Sequence, residues 1–294
     1  MPMSAPAHPW LSVIMPTFNG EATLGEALES VAQQADSGVE VIAVDDGSSD
    51  GTLKLLDSYT ARLGLRLESR PHIGNWVANT NWGLRLARGE FVSFLHQDDA
   101  WLPGRLEALR TAVGEGDEVR LWLHACWFIG ANGRRLGKWT CPLPDRRDGI
   151  RREAVLGRLL VQNWVGIPTP LFRRTDALAL GGLDESLWFT ADWDLWLKLA
   201  ALGPTRYLPR PLAAFRIHSV SQTSRGGPSD LLNQYRAVQE RHFPHWQVAP
   251  SLRRLVRAVA DLATDVNAAL AARFHGGRVC WTGLLARLAR LGPE

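Results

Sequence analysis

Residues 90–102 read Glu90-Phe91-Val92-Ser93-Phe94-Leu95-His96-Gln97-Asp98-Asp99-Ala100-Trp101-Leu102. The apolar, aromatic-rich run from Phe91 to Leu95, bounded by Gly89 and a polar cluster, has the length and composition of a buried strand rather than a helix. Asp98 and Asp99 therefore stand where that strand ends. In an open α/β sheet the carboxyl ends of the strands line the ligand crevice, so two acids there can hold a hard cation against a phosphate. The same pair can instead cap a helix over Pro103 to Val113. The loops around the stretch favour the first reading.

Toward the N-terminus, the apolar run Leu11 to Met15 stops at the turn cluster Pro16-Thr17-Phe18-Asn19-Gly20. Glu21 to Gln34 then sets Leu24, Ala27, Leu28 and Val31 at helical spacing. Val39 to Val44 is a second buried strand, ending in Asp45-Asp46-Gly47-Ser48-Ser49-Asp50-Gly51-Thr52 and followed by a helix to about Tyr59. A weaker strand at Leu65 to Glu68, a loop through Arg70 to Asn75 and a helix to about Ala87 lead back to the central stretch. Alternating strands and helices predict an α/β fold, a mainly parallel Rossmann-like sheet flanked by helices. Thr17 and Asn19, then Asp45 and Asp46, then His72 to Asn75, then His96 to Asp99 fall at the same edge of that sheet and share one crevice. Loop propensity explains Asn, Asp or Gly at any one of these sites. Four such loops on one rim point to a ligand.

Composition excludes several classes. The chain has 294 residues, 46% hydrophobic, with a formal charge of +3 and no dense basic block interleaved with aromatics, so nucleic acid is not an expected partner. No Gly-x-Gly-x-x-Gly follows the first strand and no phosphate-loop lysine is present, which argues against a dinucleotide dehydrogenase or a P-loop NTPase. Cys126, Cys141 and Cys280 lack the paired spacing of a zinc site or a disulfide framework. Neither a leader peptide nor a run of about 18 apolar residues is present, so a cytoplasmic protein is expected. The 13 tryptophans serve as core filling or as platforms for flat ligand faces.

The motifs Ser12 to Asn19, Val44 to Thr52, Asn81-Trp82-Gly83 and Leu95 to Asp99 resemble those of the family 2 glycosyltransferases of the GT-A fold, over roughly Leu11 to Ser224. The resemblance implies that Pro16, Thr17, Asn19 and Asp46 grip the base and ribose of a nucleoside-diphosphate sugar. Asp45, Gly74, Asn75, Asn81 and Gln97 complete the nucleotide contacts. Asp98 would hold a divalent cation, Mn2+ or Mg2+, on the diphosphate. One departure stands out: the family pattern Asp-x-Asp is here His96-Gln97-Asp98. His96 can ligate manganese, donate to the sugar as a neutral imidazole, or merely support the helix entry.

Beyond the stretch, Val119 to Ile129 is another apolar run, and Arg134 to Thr140 can return as its hairpin partner around Asn132-Gly133. Arg152 to Gln162 reads as a helix, broken by Asn163 to Pro170 before a short strand near Leu171-Phe172. Trp164 in that break faces an acceptor or plugs the core. Gly181 to Leu187 and Thr190 to Leu197 resemble a second family signature, placing Asp192 near the N-terminus of a helix that runs to Leu202. An aspartate there can simply cap the helix. By resemblance it is the general base, although Ala191 replaces the preceding Glu of the family. Asp194 reads as a brace of the same helix, and Trp193, spaced with Trp196 as core, is also an acceptor-side candidate.

Arg216 to Ser224 resembles the segment that closes over the diphosphate. His218 would complete the metal shell or donate to the leaving phosphate, and Arg216 or Arg225 would add charge. A solvated flexible lid has the same composition. Residues 228–294 then form a helical C-terminal appendage, in which Leu252, Leu255, Val256, Val259, Leu262, Val266 and Leu270 define an amphipathic helix. Its arginines suit an anionic membrane surface; packing against the catalytic domain or self-association uses the same apolar face. Residues 1–227 are read as the GT-A domain, with a nucleotide-sugar half to about residue 115 and an acceptor half over 116–227.

The function that the resemblance implies is an inverting transfer of a sugar from a UDP- or dTDP-linked donor to a hydroxyl of a glycan, glycolipid or polysaccharide precursor. With a lipid-linked acceptor the chain would work at the inner face of the membrane. A catalytically inactive nucleotide-sugar binding module is the alternative, and a nucleotidyltransferase a lesser one, since Pro16 to Gly20 lacks the Gly-rich basic loop of those enzymes.

Overall fold

The computed structural model describes residues 8–34, 38–116, 118–218 and 228–275. Arg225 and Cys280 lie outside them. Strands β1 (Leu11–Thr17), β2 (Val39–Asp45), β3 (Arg66–Ser69) and β4 (Phe91–Phe94) alternate with helices α1 (Glu21–Ala32), α2 (Thr52–Leu63) and α3 (Trp76–Leu86). Next come β5 (Ala100–Trp101), α4 (Arg105–Gly114), β6 (Leu121–Gly130), β7 (Arg135–Trp139), α5 (Arg152–Leu159), β8 (Leu171–Arg173) and α6 (Arg174–Ala179). The chain continues through α7 (Ala191–Leu202), β9 (Thr205–Ile217), α8 (Pro228–His242), a 3-10 turn at Phe243–His245 and α9 (Pro250–His275).

The nine strands among the described residues form one sheet, ordered β3-β2-β1-β4-β8-β6-β9-β5, with β7 bonded to β6. β1, β2, β3 and β4 are mutually parallel, and Thr17, Asp45 and Ser69 lie level in the register, so the loops that follow them share an edge. Alternation sends Leu11, Val13 and Met15 to one face with Leu24 and Leu28, while Ile14 joins Val77, Phe94, Trp193 and Trp196 on the other. Each such side chain, fully buried, contributes roughly 2 kcal/mol. On that second face α3 approaches so closely that a Cβ on Gly83 would stand 2.5 Å from Ile14 Cγ2. Glycine is what permits the approach.

β9 is the element that sequence patterning misses. Pro209 and Pro211 interrupt its apolar run, and proline cannot donate to a ladder. The structure absorbs them in a bulge: β9 pairs parallel with β6, but Leu208 faces His124 and Pro211 faces Ala125, leaving Pro209 and Arg210 out of register. β5, only two residues long, is fixed by antiparallel pairing with Ala213 and Ala214 of β9. Asp98 and Asp99 consequently precede a strand, and α4 starts at Arg105 behind Gly104, so neither acid caps it. Helix α8 starts at Pro228, and Val238, Phe243, Trp246 and Ala260 of the C-terminal helices join the main core. No helix among the described residues is long and apolar enough to cross a membrane.

Candidate functional site

The rim at the ends of β1, β2 and β3 is stitched by its own polar groups. Asp45, fully buried, accepts from Thr17 Oγ1 (3.1 Å) and from the Ser48 amide (2.9 Å). Asn19 takes a φ of 44°, which its short amide tolerates. Its amide N–H donates to Ser48 Oγ at 2.9 Å and its Oδ1 accepts from the Ser49 amide at 2.8 Å. Pro16 is buried opposite Val44. Asp46 gathers the loop before α3: its oxygens accept from the Ile73 and Gly74 amides at 2.9 Å each, and His72 Nδ1 lies 2.9 Å away. Burial alone would raise the Asp46 pKa, but these donors outweigh it and hold the carboxyl ionised.

The His72 ring stacks on Phe18 with centroids 4.2 Å apart, making a flat aromatic pair between the first and third loops. Gln97 clips the same Phe18 from the β4 side, accepting from its amide at 2.8 Å and donating to its carbonyl at 3.0 Å. Asn75 caps α3 by accepting from the Val77 and Ala78 amides, and its Nδ2 reaches the Glu185 carbonyl at 3.3 Å. The structure therefore brings Pro16, Thr17, Asn19, Asp45, Asp46, Gly74, Asn75 and Gln97 into one bonded set of loops.

Asp98 and His218 meet at the end of β9: Nε2 to Oδ2 is 2.9 Å. Burial pushes the Asp98 pKa up, but the His218 hydrogen bond and the neighbouring imidazoles together outweigh it and the pKa is lowered. Asp99 is the opposite case. Burial and the neighbouring Asp98 charge raise its pKa well above the usual range; one oxygen accepts from the Arg216 amide at 2.9 Å and the other has no hydrogen-bond partner. His96 is half-buried with its ring edge on Trp76, centroids 5.1 Å apart, and its Nε2 has no hydrogen-bond partner. Burial lowers its pKa against the pull of Asp98, so the imidazole is neutral. A carboxylate oxygen with imidazole nitrogens suits Mn2+ or Mg2+. No three His, Cys, Asp or Glu side chains converge into a full shell among the described residues.

The second cluster opens α7. Asp192 lies in the first turn, where Trp193 N–H donates to Oδ1 at 2.7 Å and Asn163 Nδ2 to Oδ2 at 3.2 Å. Burial pushes its pKa up to about 6, with those hydrogen bonds opposing the rise. Gln234 of α8 accepts from the Phe189 and Thr190 amides just before the helix. Two residues on, Asp194 is fully buried and meets Lys198 at 2.6 Å, Arg241 at 2.9 Å and His242 at 2.8 Å, so its pKa is lowered despite burial. It locks α7 to α8. The two clusters connect through Trp76, whose indole N–H donates to the Trp188 carbonyl at 2.7 Å while its ring meets His96.

Three expected site residues make scaffold contacts. Asn81 is buried, with Nδ2 donating to the Leu183 carbonyl and to Glu185 Oε1 and Oδ1 accepting from the Leu183 amide, each at 2.9 Å. It is a clamp on the 183–185 loop, not a rim group. Trp193 is core, its indole N–H bonded to the Leu159 carbonyl at 2.8 Å. Arg216 lies in β9 and is buried; its guanidinium donates to the carbonyls of Asp98, Gly130 and Ala131 and pairs with Glu26, so it braces the metal-motif loop rather than forming a lid. Trp164 is half-buried against the main core, and Arg225 falls outside the described residues. Sequence reading set His72 on the shared rim without its stacking on Phe18, and it missed Asn163. Neither the stacking nor the Asn163 bond carries a local signal, because each joins distant elements.

Residues 12–129 match the family described as Glycosyl transferase family 2. An uncharacterized protein of Mycobacterium tuberculosis is 30% identical over 237 residues, covering 75% of this chain and 71% of its own length. The Escherichia coli protein WfgD, described as a UDP-Glc:alpha-D-GlcNAc-diphosphoundecaprenol beta-1,3-glucosyltransferase, is 34% identical over 190 residues, 64% of this chain and 69% of its own. Among solved structures, S. aureus TarS 1-349, also solved with UDP-GlcNAc, superposes with a TM-score of 0.68 at 21% identity over 87% of this chain and 72% of that one. Mannosyltransferase PcManGT from Pyrobaculum calidifontis, in complex with GDP-Man and Mn2+, gives 0.59 at 19% identity over 99% and 82%. At those identities the structures speak for the GT-A fold, and the sequence relatives for the lineage. The chain belongs to glycosyltransferase family 2.

Proposed function

We propose that this glycosyltransferase moves a sugar from a UDP- or dTDP-linked donor to an acceptor hydroxyl with inversion at the anomeric carbon. The observation that carries the reading is the contrast at the start of α7. Asp194 is paired with Lys198, Arg241 and His242, whereas Asp192 accepts from neutral donors, Asn163 and the Trp193 backbone amide among them, and burial pushes its pKa to about 6. A carboxylate poised there is a competent proton acceptor near neutral pH. As the acceptor oxygen bonds to the anomeric carbon, the bond from that carbon to the diphosphate oxygen breaks and the acceptor proton passes to Asp192. The departing diphosphate carries away the electron pair. Such a displacement needs no covalent sugar on the protein.

Asp98 and His218 would hold a divalent cation; His96, its Nε2 unpartnered, does not join them in a three-residue group among the described residues. Bound there, the cation would supply charge neutralisation for the leaving diphosphate. The loops bearing Pro16, Thr17, Asn19, Asp45 and Asp46 would seat the nucleotide, with Gly74, Asn75 and Gln97 fixing their spacing and the Phe18–His72 stack offering a face for the base. WfgD, by its description, acts on a diphosphoundecaprenol-linked sugar, which supports a lipid-linked acceptor here and work at the inner face of the membrane. Buried free thiols at Cys126 and Cys141 agree with a reducing cytoplasm.

Calorimetry with UDP, dTDP and GDP, each with and without manganese, tests the donor side. Manganese-dependent binding of UDP or dTDP, weakened in Asp98→Asn, is the expected result. No binding of any nucleotide would overturn the proposal.

A further inference from the structure

We infer that Tyr235 of α8 is an acceptor-binding residue, whose phenolic hydroxyl donates a hydrogen bond to a second hydroxyl of the sugar that Asp192 deprotonates. The inference rests on Asp192 as the base. Helix α8 is bonded to the turn that opens α7: Gln234 Oε1 accepts from the Phe189 amide at 2.9 Å and from the Thr190 amide at 3.2 Å. The next residue, Tyr235, meets edge-on the two aromatic rings that bracket Asp192 in sequence. Its centroid lies 5.8 Å from Phe189 at 82° and 5.6 Å from Trp193 at 67°.

The ring is held by packing, whereas the hydroxyl is spare. The chain has three tyrosines. Tyr59 donates to Glu29 Oε2 at 3.1 Å, and the Tyr207 oxygen accepts from the Cys141 amide at 3.1 Å. The hydroxyl of half-buried Tyr235 has no hydrogen-bond partner among the described residues and stays open to solvent. It nevertheless feels the base, since burial and the Asp192 charge push the phenol pKa up to about 12. The group therefore keeps its proton near neutral pH and acts as a donor, not as a second base. For packing alone phenylalanine would serve, because the ring makes the same two contacts.

The surroundings name the ligand class. Asn163 Nδ2 and the Trp193 amide already donate to Asp192, so they orient the base, and Tyr235 offers a donor that is not so engaged. Trp188 and Phe189, both half-buried with centroids 5.5 Å apart, add apolar ring surface on the same turn. Apolar rings beside a neutral donor and a carboxylate suit a sugar, which has C–H faces and several hydroxyls, better than a simple lipid alcohol with one.

The test is transfer by the full chain from UDP- and dTDP-glucose to p-nitrophenyl glycosides of glucose, galactose, mannose and N-acetylglucosamine, and to an N-acetylglucosamine diphospholipid. Tyr235→Phe should raise the acceptor KM about five- to tenfold, with kcat and donor Kd within about twofold of the parent and Tm unchanged. Among deoxy forms of the preferred acceptor, loss of one hydroxyl should cost the parent as much as Tyr235→Phe does and cost the variant nothing further. An acceptor KM within about twofold of the parent overturns the inference. So does a penalty that simply adds to that of every deoxy acceptor, or a parent that binds donor and transfers to none of these sugars. Asp192→Asn keeps the two readings apart. Turnover near the parent's rate would defeat the base assignment and the inference with it, whereas an inactive Asp192→Asn beside a normal Tyr235→Phe would remove Tyr235 alone.

Discussion

Asn163 donates its side-chain amide to Oδ2 of Asp192 at 3.2 Å, from a loop that the fold brings to the start of α7. The bond favours the ionised form of a carboxyl that burial pushes to about 6. Turnover should therefore rise with pH through about 6 and level off above it, because the base must be unprotonated. Asn163→Ala removes a stabiliser of the charge, so the rising limb should move upward by about one pH unit, corresponding to roughly 1.4 kcal/mol. A kcat profile between pH 5 and 8 checks this; an unmoved limb would separate Asn163 from the base.

Stability should run the other way at the same residue. An unfolded aspartate loses its proton near 4, whereas folded Asp192 keeps it to about 6, so ionising it above that range weakens the native state. Asp192→Asn should be more stable than the parent at pH 7.5, by about 1–2 kcal/mol after allowance for partial solvent access, and no more stable at pH 4. Urea denaturation at the two pH values measures the difference. Equal gains at both would mean the carboxyl is not under strain.

Buried Asp194 meets Lys198, Arg241 and His242 at the junction of α7 and α8. Asp194→Ala takes this partner from Lys198 and His242, while Arg241 keeps Asp184, and should cost about 1.5–3 kcal/mol, read as a fall in Tm. The lowered pKa also means that the parent gains stability from this site above about pH 4 and loses it as acid protonates the group; the variant should lack that part of the acid limb. A variant as stable as the parent would show that α8 is held by other contacts.

Asn81 separates a scaffold role from a nucleotide role. Asn81→Ala breaks three hydrogen bonds and should cost about 2–3 kcal/mol, while donor Kd in the folded fraction stays within about twofold. A large rise in Kd with unchanged Tm would return Asn81 to the rim. Gly83→Ala makes the parallel point for packing. Alanine is the better helix former, but its Cβ would stand 2.5 Å from Ile14 Cγ2, so a loss of about 1–3 kcal/mol is expected in place of a gain.

The parallel half of the fold was legible because β1, β2 and β4 are short apolar runs ending in turn residues, a pattern that local physics alone enforces. β9 was not, since Pro209 and Pro211 disguise a strand whose ladder is made with β6, more than 80 positions earlier, across a bulge. The same limit governs the site. Asp45, Asp46 and Asp98 announce themselves at strand ends, and the family resemblance adds Asp192. Asn81 and Arg216 were placed by motif, and only the contacts of Leu183 and of the Asp98 carbonyl reveal them as clamps. Asn163 acquires its role only through Asp192, 29 residues away, and the stacking of His72 on Phe18 is seen only in the fold.

The central claim is that Asp192 takes the acceptor proton. The measurement that tests it most directly is sugar transfer by Asp192→Asn, with donor binding to the same preparation followed by calorimetry. Turnover should fall by at least about a thousandfold with the donor Kd within about twofold of the parent, since the amide keeps the shape and removes only the base. Turnover within about tenfold of the parent would contradict the account and move the base elsewhere.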